Sequence, residues 1–171
     1  MRAFVTVGST HFDPLVQASL STPVLESLRS RGYTELTIQC GHSKIVQELF
    51  SAQDVATLTN AGVSIEVWRF KPTLREDYAR ADLVISHAGS GTILDVLRLG
   101  KALIVVPNPT LLDNHQEELA NALADLGHLY SSSIPDLPGV IERIDTRHIV
   151  PFPPFDGSRF RKLLDEEMGY V

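Results

Sequence analysis

Residues 82–106, DLVISHAGSGTILDVLRLGKALIVV, decide the fold. Two short Val- and Ile-rich runs, 82–86 and 102–106, flank a segment whose apolar residues recur at helical spacing. Gly100 stops that segment just before the second run. Near-continuous apolar runs of this length suit strands buried on both faces of a parallel sheet. The stretch therefore reads as strand, helix, strand, with a helix over 92–99 closed by glycine.

The pattern extends outward. Further apolar runs fall at 3–7, 36–40 and 63–70. Helical patterns lie between them. Thr22 and Pro23 supply an N-cap and a first helical residue, with Val24, Leu25 and Leu28 on one face and Gly32 as the stop. Residues 43–60 are expected to form a second helix with Ile45, Val46, Leu49 and Phe50 inward. Residues 73–80 form a short third, and 114–126 another, ended by Gly127. Strand and helix alternate throughout, which predicts an α/β fold: an open, mainly parallel Rossmann-like sheet with helices on both faces. Residues 1–150 are assigned to this domain. Residues 151–171 begin with Pro151, Pro153 and Pro154 and should be extended there. Asp156 then caps a C-terminal helical arm with Phe160, Leu163 and Leu164 on one face. That helix packs on its own sheet or docks on a partner.

The totals bound the rest. The chain has 171 residues, 43% hydrophobic and 21% charged, with formal net charge −6. One such domain buries a core without staples. The single cysteine, Cys40, rules out an intramolecular disulfide framework and favours a reducing compartment. The acidic balance argues against a non-specific nucleic-acid binder. No apolar run approaches bilayer length, and the N-terminus reads as a strand rather than a signal peptide. A cytoplasmic chain is expected, reaching a membrane only through a partner.

In open α/β sheets, ligands bind beyond the carboxyl ends of the strands. There the sequence gathers Gly8-Ser9-Thr10, Gly41-His42-Ser43, His87-Ala88-Gly89-Ser90-Gly91-Thr92 and, after the fifth strand, Pro107-Asn108-Pro109 followed by Asp113-Asn114-His115-Gln116. Turn chemistry explains any one loop; four on one edge point to a ligand cleft. Gly89 and Gly91 allow close backbone approach, the helix beginning near Ser90 points free N–H groups outward, and Ser90, Thr92 and His87 add donors. Asp95, three residues after Thr92, offers a carboxylate to a ribose diol, or simply complements the helix dipole. Together these residues describe a nucleotide site. No P-loop, nucleophile elbow or helical metal-ligand spacing is present, and no Asp-x-Asp pair holds a divalent ion. The expected site uses no metal and no cofactor.

The segments FVTVGSTHFDPLV, RADLVISHAGSGTILDVLRLGK and DNHQEELANAL resemble the nucleotide-sugar half of GT-B glycosyltransferases of family 28. More narrowly, they resemble the catalytic subunits of the eukaryotic UDP-N-acetylglucosamine transferases acting on dolichol-linked chitobiose precursors. The resemblance covers about residues 1–130 well and the tail loosely. It implies that Gly8, Ser9, Thr10, His87, Gly89, Ser90, Gly91 and Thr92 hold the donor diphosphate. It places the ribose on Asp95, where the wider family usually has Glu, and the sugar on Asn114, His115 and Gln116. UDP-GlcNAc is the implied donor and GlcNAc-diphosphodolichol the acceptor, with inversion. A GT-B enzyme clamps its substrates between two such domains, and this chain has length for one. The implied partner is a membrane-anchored, acceptor-binding subunit on the cytosolic face of the endoplasmic reticulum, the tail being the candidate docking arm. His11, near the first loop, is the base candidate in this chain; the partner is the other source. Two rival readings stay open: a non-catalytic nucleotide-binding module, and a stand-alone nucleotide or phosphoester hydrolase.

Overall fold

The computed structural model describes residues 1–44, 55–109, 115–154, 156–158, 162 and 166–168. Among these, seven strands build one sheet: β1 (Arg2–Thr6), β2 (Glu35–Gln39), β3 (Val55–Asn60), β4 (Val63–Trp68), β5 (Leu83–His87), β6 (Ala102–Val106) and β7 (Tyr130–Ser131). Their order is β3-β4-β2-β1-β5-β6-β7, and every pairing is parallel except β3 with β4. β5 and β6 are buried at every residue, as continuous apolar runs require. β1 pairs with β2 on one side and β5 on the other, so the sheet reverses its direction of growth beside β1. That reversal leaves a crevice at the carboxyl ends of β1 and β5.

Helices cover both faces. On one, α1 (Asp13–Ser19), α2 (Thr22–Ser30) and α6 (Leu137–Arg143) bury Leu15, Leu28 and Ile141 against Val5, Ile38 and Ile85. On the other, α3 (Arg75–Arg80), α4 (Ser90–Arg98) and α5 (His115–Asp125) bury Tyr78, Ile93 and Ala120 against Phe4, Val84 and Leu103. Adjacent strand residues such as Phe4 and Val5 thus serve opposite cores, the period-two signature of a pleated strand. α2 begins one residue ahead of its expected start, with Ser21 as N-cap and Pro23 in the first turn. α6 was not anticipated. Arg31 donates to Ile144 O at 2.6 Å and Ser27 Oγ to Glu142 Oε1 at 3.0 Å, fixing it beside α2.

The helix expected over 43–60 is corrected in part. Residues 45–54, with the inward positions assigned there, lie outside the described residues. Residues 55–60 are the strand β3, antiparallel to β4. Ala61 and Gly62 join the two with φ of 48° and 75°. Two consecutive positive φ values make the mirror-image turn whose twist matches a tight hairpin. The alternation of strand and helix therefore breaks at this edge.

The tail turns back on the domain. Val150 N donates to Gly127 O at 2.9 Å, and Phe152 meets the His128 ring edge-on at 5.3 Å. Asp156 accepts from Ser158 N and Oγ, both at 2.9 Å, as a cap does. Ser158, Lys162 and residues 166–168 are helical and exposed. Phe160, Leu163 and Leu164 lie outside the described residues. No helix among the described residues is long and apolar enough to cross a membrane.

Candidate functional site

The first loop leaves β1 through Gly8, at φ 60°. A buried glutamine holds it. Gln39 Oε1 accepts from Thr6 Oγ1 at 2.6 Å and from Gly8 N at 2.8 Å; its Nε2 donates to Gly8 O at 2.9 Å and to Arg69 O at 2.7 Å. One amide thereby satisfies both polar groups of Gly8 and ties β1, β2 and the end of β4 together. Thr10 donates its hydroxyl back to Val7 O at 2.6 Å, which tightens the turn, while Ser9 is exposed.

The second loop follows β5. α4 starts at Ser90, where the loop reading placed its tip and two residues ahead of the 92–99 apolar pattern, and so brings the Ser90, Gly91 and Thr92 amides into its open first turn. These groups and the helix dipole give this end a partial positive charge, the kind of helix end that suits an anion. A β-carbon on Gly91 would meet nothing within 4 Å, so this face of the loop is open. Gly89 is different: its β-carbon would lie 2.3 Å from His87 Nε2, and one on Gly8 would lie 2.8 Å from His87 Cε1. The imidazole is wedged between the two loops, 6% exposed, with no hydrogen-bond partner for Nδ1. Burial pushes the imidazole below its usual range, while the Thr6 backbone pulls it partly back. Burial thus disfavours the charged form of the ring at the crevice, and Gly89 is small because of the ring beside it.

Asp95 lies one turn further along α4, exposed, on the wall of a cavity of about 590 Å³ shared with Lys71, Leu74, Tyr78 and Arg98. Lys71 sits over the Trp68 ring at 4.1 Å and pairs with Asp77 at 2.8 Å. The Tyr78 phenol is raised by burial and the Asp95 and Asp77 charges; the Thr92 and Thr6 hydroxyls beside it pull the other way. Beyond β6 and β7, a second cavity of about 380 Å³ is lined by Asn108, Gln116, Asn121 and Ser132. Gln116 Oε1 accepts from Asn108 N at 3.1 Å, and Asn108 Nδ2 donates to His11 O at 3.3 Å. This relay links α5 to the first loop. His115 instead points out, its side chain 84% exposed and 3.6 Å from Glu118. Asn114 and Asp113 lie outside the described residues. His11 Nε2 stands 3.1 Å from Asp13 Oδ2 and its side chain is half exposed.

Gly8, Ser9, Thr10, His87 and Gly89 through Thr92 therefore converge on the crevice, with Asp95 and Gln116 on cavities along the same edge. His115 does not join them. Sequence reasoning missed Gln39; it placed Asn108 on this edge but gave it no role. The available signal was a polar residue at the end of a buried strand, one of the places where a buried amide must find partners.

The chain resembles known proteins over nearly all its length. The model of the glycosyltransferase family 28 C-terminal domain matches residues 2–162. The mouse UDP-N-acetylglucosamine transferase subunit ALG13 is 43% identical over 129 residues, 75% of this chain but only 10% of that protein. The chain thus spans about a tenth of that relative. An NMR solution structure of ALG13 aligns with TM-score 0.69 and 32% identity, covering 95% of this chain and 94% of the other. The crystal structure of Acinetobacter baumannii MurG shares the fold at TM-score 0.58 and 23% identity, with 98% of this chain on 42% of that one.

Proposed function

The chain belongs to the glycosyltransferase family 28 C-terminal domain family, and from that premise we propose that it is the donor-binding subunit of a two-subunit UDP-N-acetylglucosamine transferase. The carrying observation is the crevice between β1 and β5, where the Gly8–Thr10 loop and the first turn of α4 face each other across the buried His87 imidazole. Such a site suits a diphosphate leaving group: first-turn amides and the Ser90 hydroxyl meet the charge that develops on UDP, without a metal or cofactor. Asp95 takes the ribose and Gln116 the sugar. Asn114 and His115 remain proposed sugar contacts on resemblance alone.

The reaction is displacement with inversion. The hydroxyl of GlcNAc-diphosphodolichol attacks the anomeric carbon, and UDP departs. His11, oriented by Asp13, accepts the proton through Nδ1 if this chain supplies the base. The acceptor half comes from a membrane-anchored partner at the cytosolic face of the endoplasmic reticulum, with the tail beyond Phe152 as the docking arm. This is the second step in building the lipid-linked oligosaccharide for N-glycosylation.

The test is transfer from UDP-GlcNAc to a lipid-linked GlcNAc diphosphate, by the chain alone and by the complex. Transfer by the complex only is the expected result; hydrolysis of the donor by the chain alone, with no transfer in either, would sink the reading. Asp95→Ala should raise the donor KM by about tenfold or more, measured in the same assay.

A further inference from the structure

The two loops of the donor site are joined from underneath. Thr6, the last residue of β1, is fully buried and stands in register between Gln39 on β2 and Ser86 on β5. It shares the face of Phe4, two residues earlier, and so points into the core under α3 and α4. Tyr78 of α3 enters the same core, 4% exposed, with its ring edge-on to Phe4 at 5.7 Å. Its hydroxyl lies within hydrogen-bonding reach of Thr6 and of Thr92 in the first turn of α4. One phenol therefore touches both the strand that feeds the Gly8 loop and the helix end that faces it.

The protons in this contact have one arrangement. Gln39 Nε2 sits against two carbonyls, Gly8 O and Arg69 O, so Oε1 is the acceptor that meets Gly8 N and Thr6 Oγ1. Thr6 therefore gives its only hydroxyl proton to Gln39, at 2.6 Å. Thr6 Oγ1 also accepts from Gly8 N at 3.1 Å, which leaves one lone pair for the Tyr78 hydroxyl. The phenol donates to Thr6, so toward Thr92 it can only accept, and the Thr92 proton points inward. Each hydroxyl donates to the next group, Thr92 to Tyr78 to Thr6 to Gln39, and the amide closes the relay on Gly8. Ser90, by contrast, is exposed.

We propose that Tyr78 is a positioning residue for the transfer: its hydroxyl braces the first turn of α4 against the β1 loop and sets the gap that the donor diphosphate fills. Thr92 then serves the donor through its backbone N–H and this brace, and its hydroxyl is not a phosphate ligand. The assignment rests on the donor reading above. A gap of fixed width matters to a group gripped from both sides, because the site is then ordered before the ligand arrives. The diphosphate is such a group; the nucleoside, placed further along α4 at Asp95, is not.

The full chain and its variants are titrated with UDP and with uridine, followed by backbone-amide NMR, which also reports that each variant is folded. Tyr78→Phe keeps the ring on Phe4 and removes only the hydroxyl. It should weaken UDP about five- to tenfold and uridine by less than about twofold. Thr92→Val tests the same contact from its half-buried end, without touching the core. It should lose about as much, Thr92→Ser should recover most of that loss, and the Tyr78→Phe, Thr92→Val double variant should bind UDP no more weakly than either single one. Losses that multiply in the double variant would make the Thr92 hydroxyl a direct phosphate ligand and overturn the proposal. An equal loss for uridine would make the phenol part of the nucleoside wall and also overturn it, as would Thr92→Ser binding no better than Thr92→Val. An unsubstituted chain that takes up no UDP overturns the donor reading and the brace with it. One that binds UDP no more tightly than Tyr78→Phe does removes the brace alone.

Discussion

Gly89 and Gly100 flank the two ends of α4 and are small for opposite reasons. Gly89, at the carboxyl edge of the sheet, has φ −77°, which any residue adopts, but a β-carbon there would strike His87. Gly100, at the amino edge, has φ 65° and nothing within 4 Å of a β-carbon. One glycine is required by space and the other by backbone conformation. The same contrast runs through the polar contacts. At the carboxyl edge Gln39 is 2% exposed and bonded to three residues. At the amino edge the contacts are exposed, with Arg2 N donating to Asp82 at 2.8 Å and Arg2 pairing with Glu35. The carboxyl edge is held by buried groups, Gln39 being matched through both atoms of its amide while His87 Nδ1 is left without a partner, and the opposite edge by turn geometry and solvated pairs worth little.

Four substitutions or conditions test this contrast, in falling order of effect. Gln39→Leu strips partners from Gly8, Arg69 and Thr6 at once. It should cost about 2–4 kcal/mol in urea unfolding and raise the donor KM. Gln39→Glu, which keeps the acceptor and loses the donor, should fall between. An unchanged midpoint in Gln39→Leu would erase the distinction between the two edges. Gly89→Ala should cost about 1–3 kcal/mol by overpacking. Adding His87→Ala to it should restore thermal stability but not UDP affinity by calorimetry, which separates room for the ring from its use in binding. Gly100→Ala should cost about 1 kcal/mol through its left-handed backbone and leave UDP affinity alone.

The shallowest effect is that of pH. Because the folded state depresses His87 below its ordinary value of 6.5, the unfolded chain binds the proton more readily. The contribution is complete above 6.5 and is lost as pH falls below it toward the folded-state pKa. Half a unit below 6.5 the loss is under about 1 kcal/mol. Unfolding midpoints from about pH 7.5 to 5.5 should show a shallower slope in His87→Gln than in the unsubstituted chain.

The central strands were legible because residues 83–87 and 102–106 are apolar on both faces, a pattern that few other structures accommodate. β3 was not. Val55, Thr57 and Thr59 are exposed and the strand has a neighbour on one side only, so its sequence carries neither a continuous run nor a clear helical face. Its signal lay in Gly62, two residues after Asn60. α6 is short, and Pro135, Pro138 and Gly139, at and just before its first turn, read as a loop. For the site, the small residues of 87–92 marked the place, but the reason for Gly89 is a ring that only the folded chain brings beside it. Residue order names the loops; it does not say which groups press on them from across the crevice.

β3 also bears on how the chain behaves on its own. It ends the sheet, and no described strand takes up its outer row of amides and carbonyls. Such a margin is a template for stacking copy upon copy. Here the outward positions are mostly Thr and Asn, the strand is six residues long, and a tight mirror-image turn curls its end. The fold therefore carries its own protection against fibre-like growth along that margin, and changes such as Thr57→Val or Thr59→Ile are the ones that would erode it.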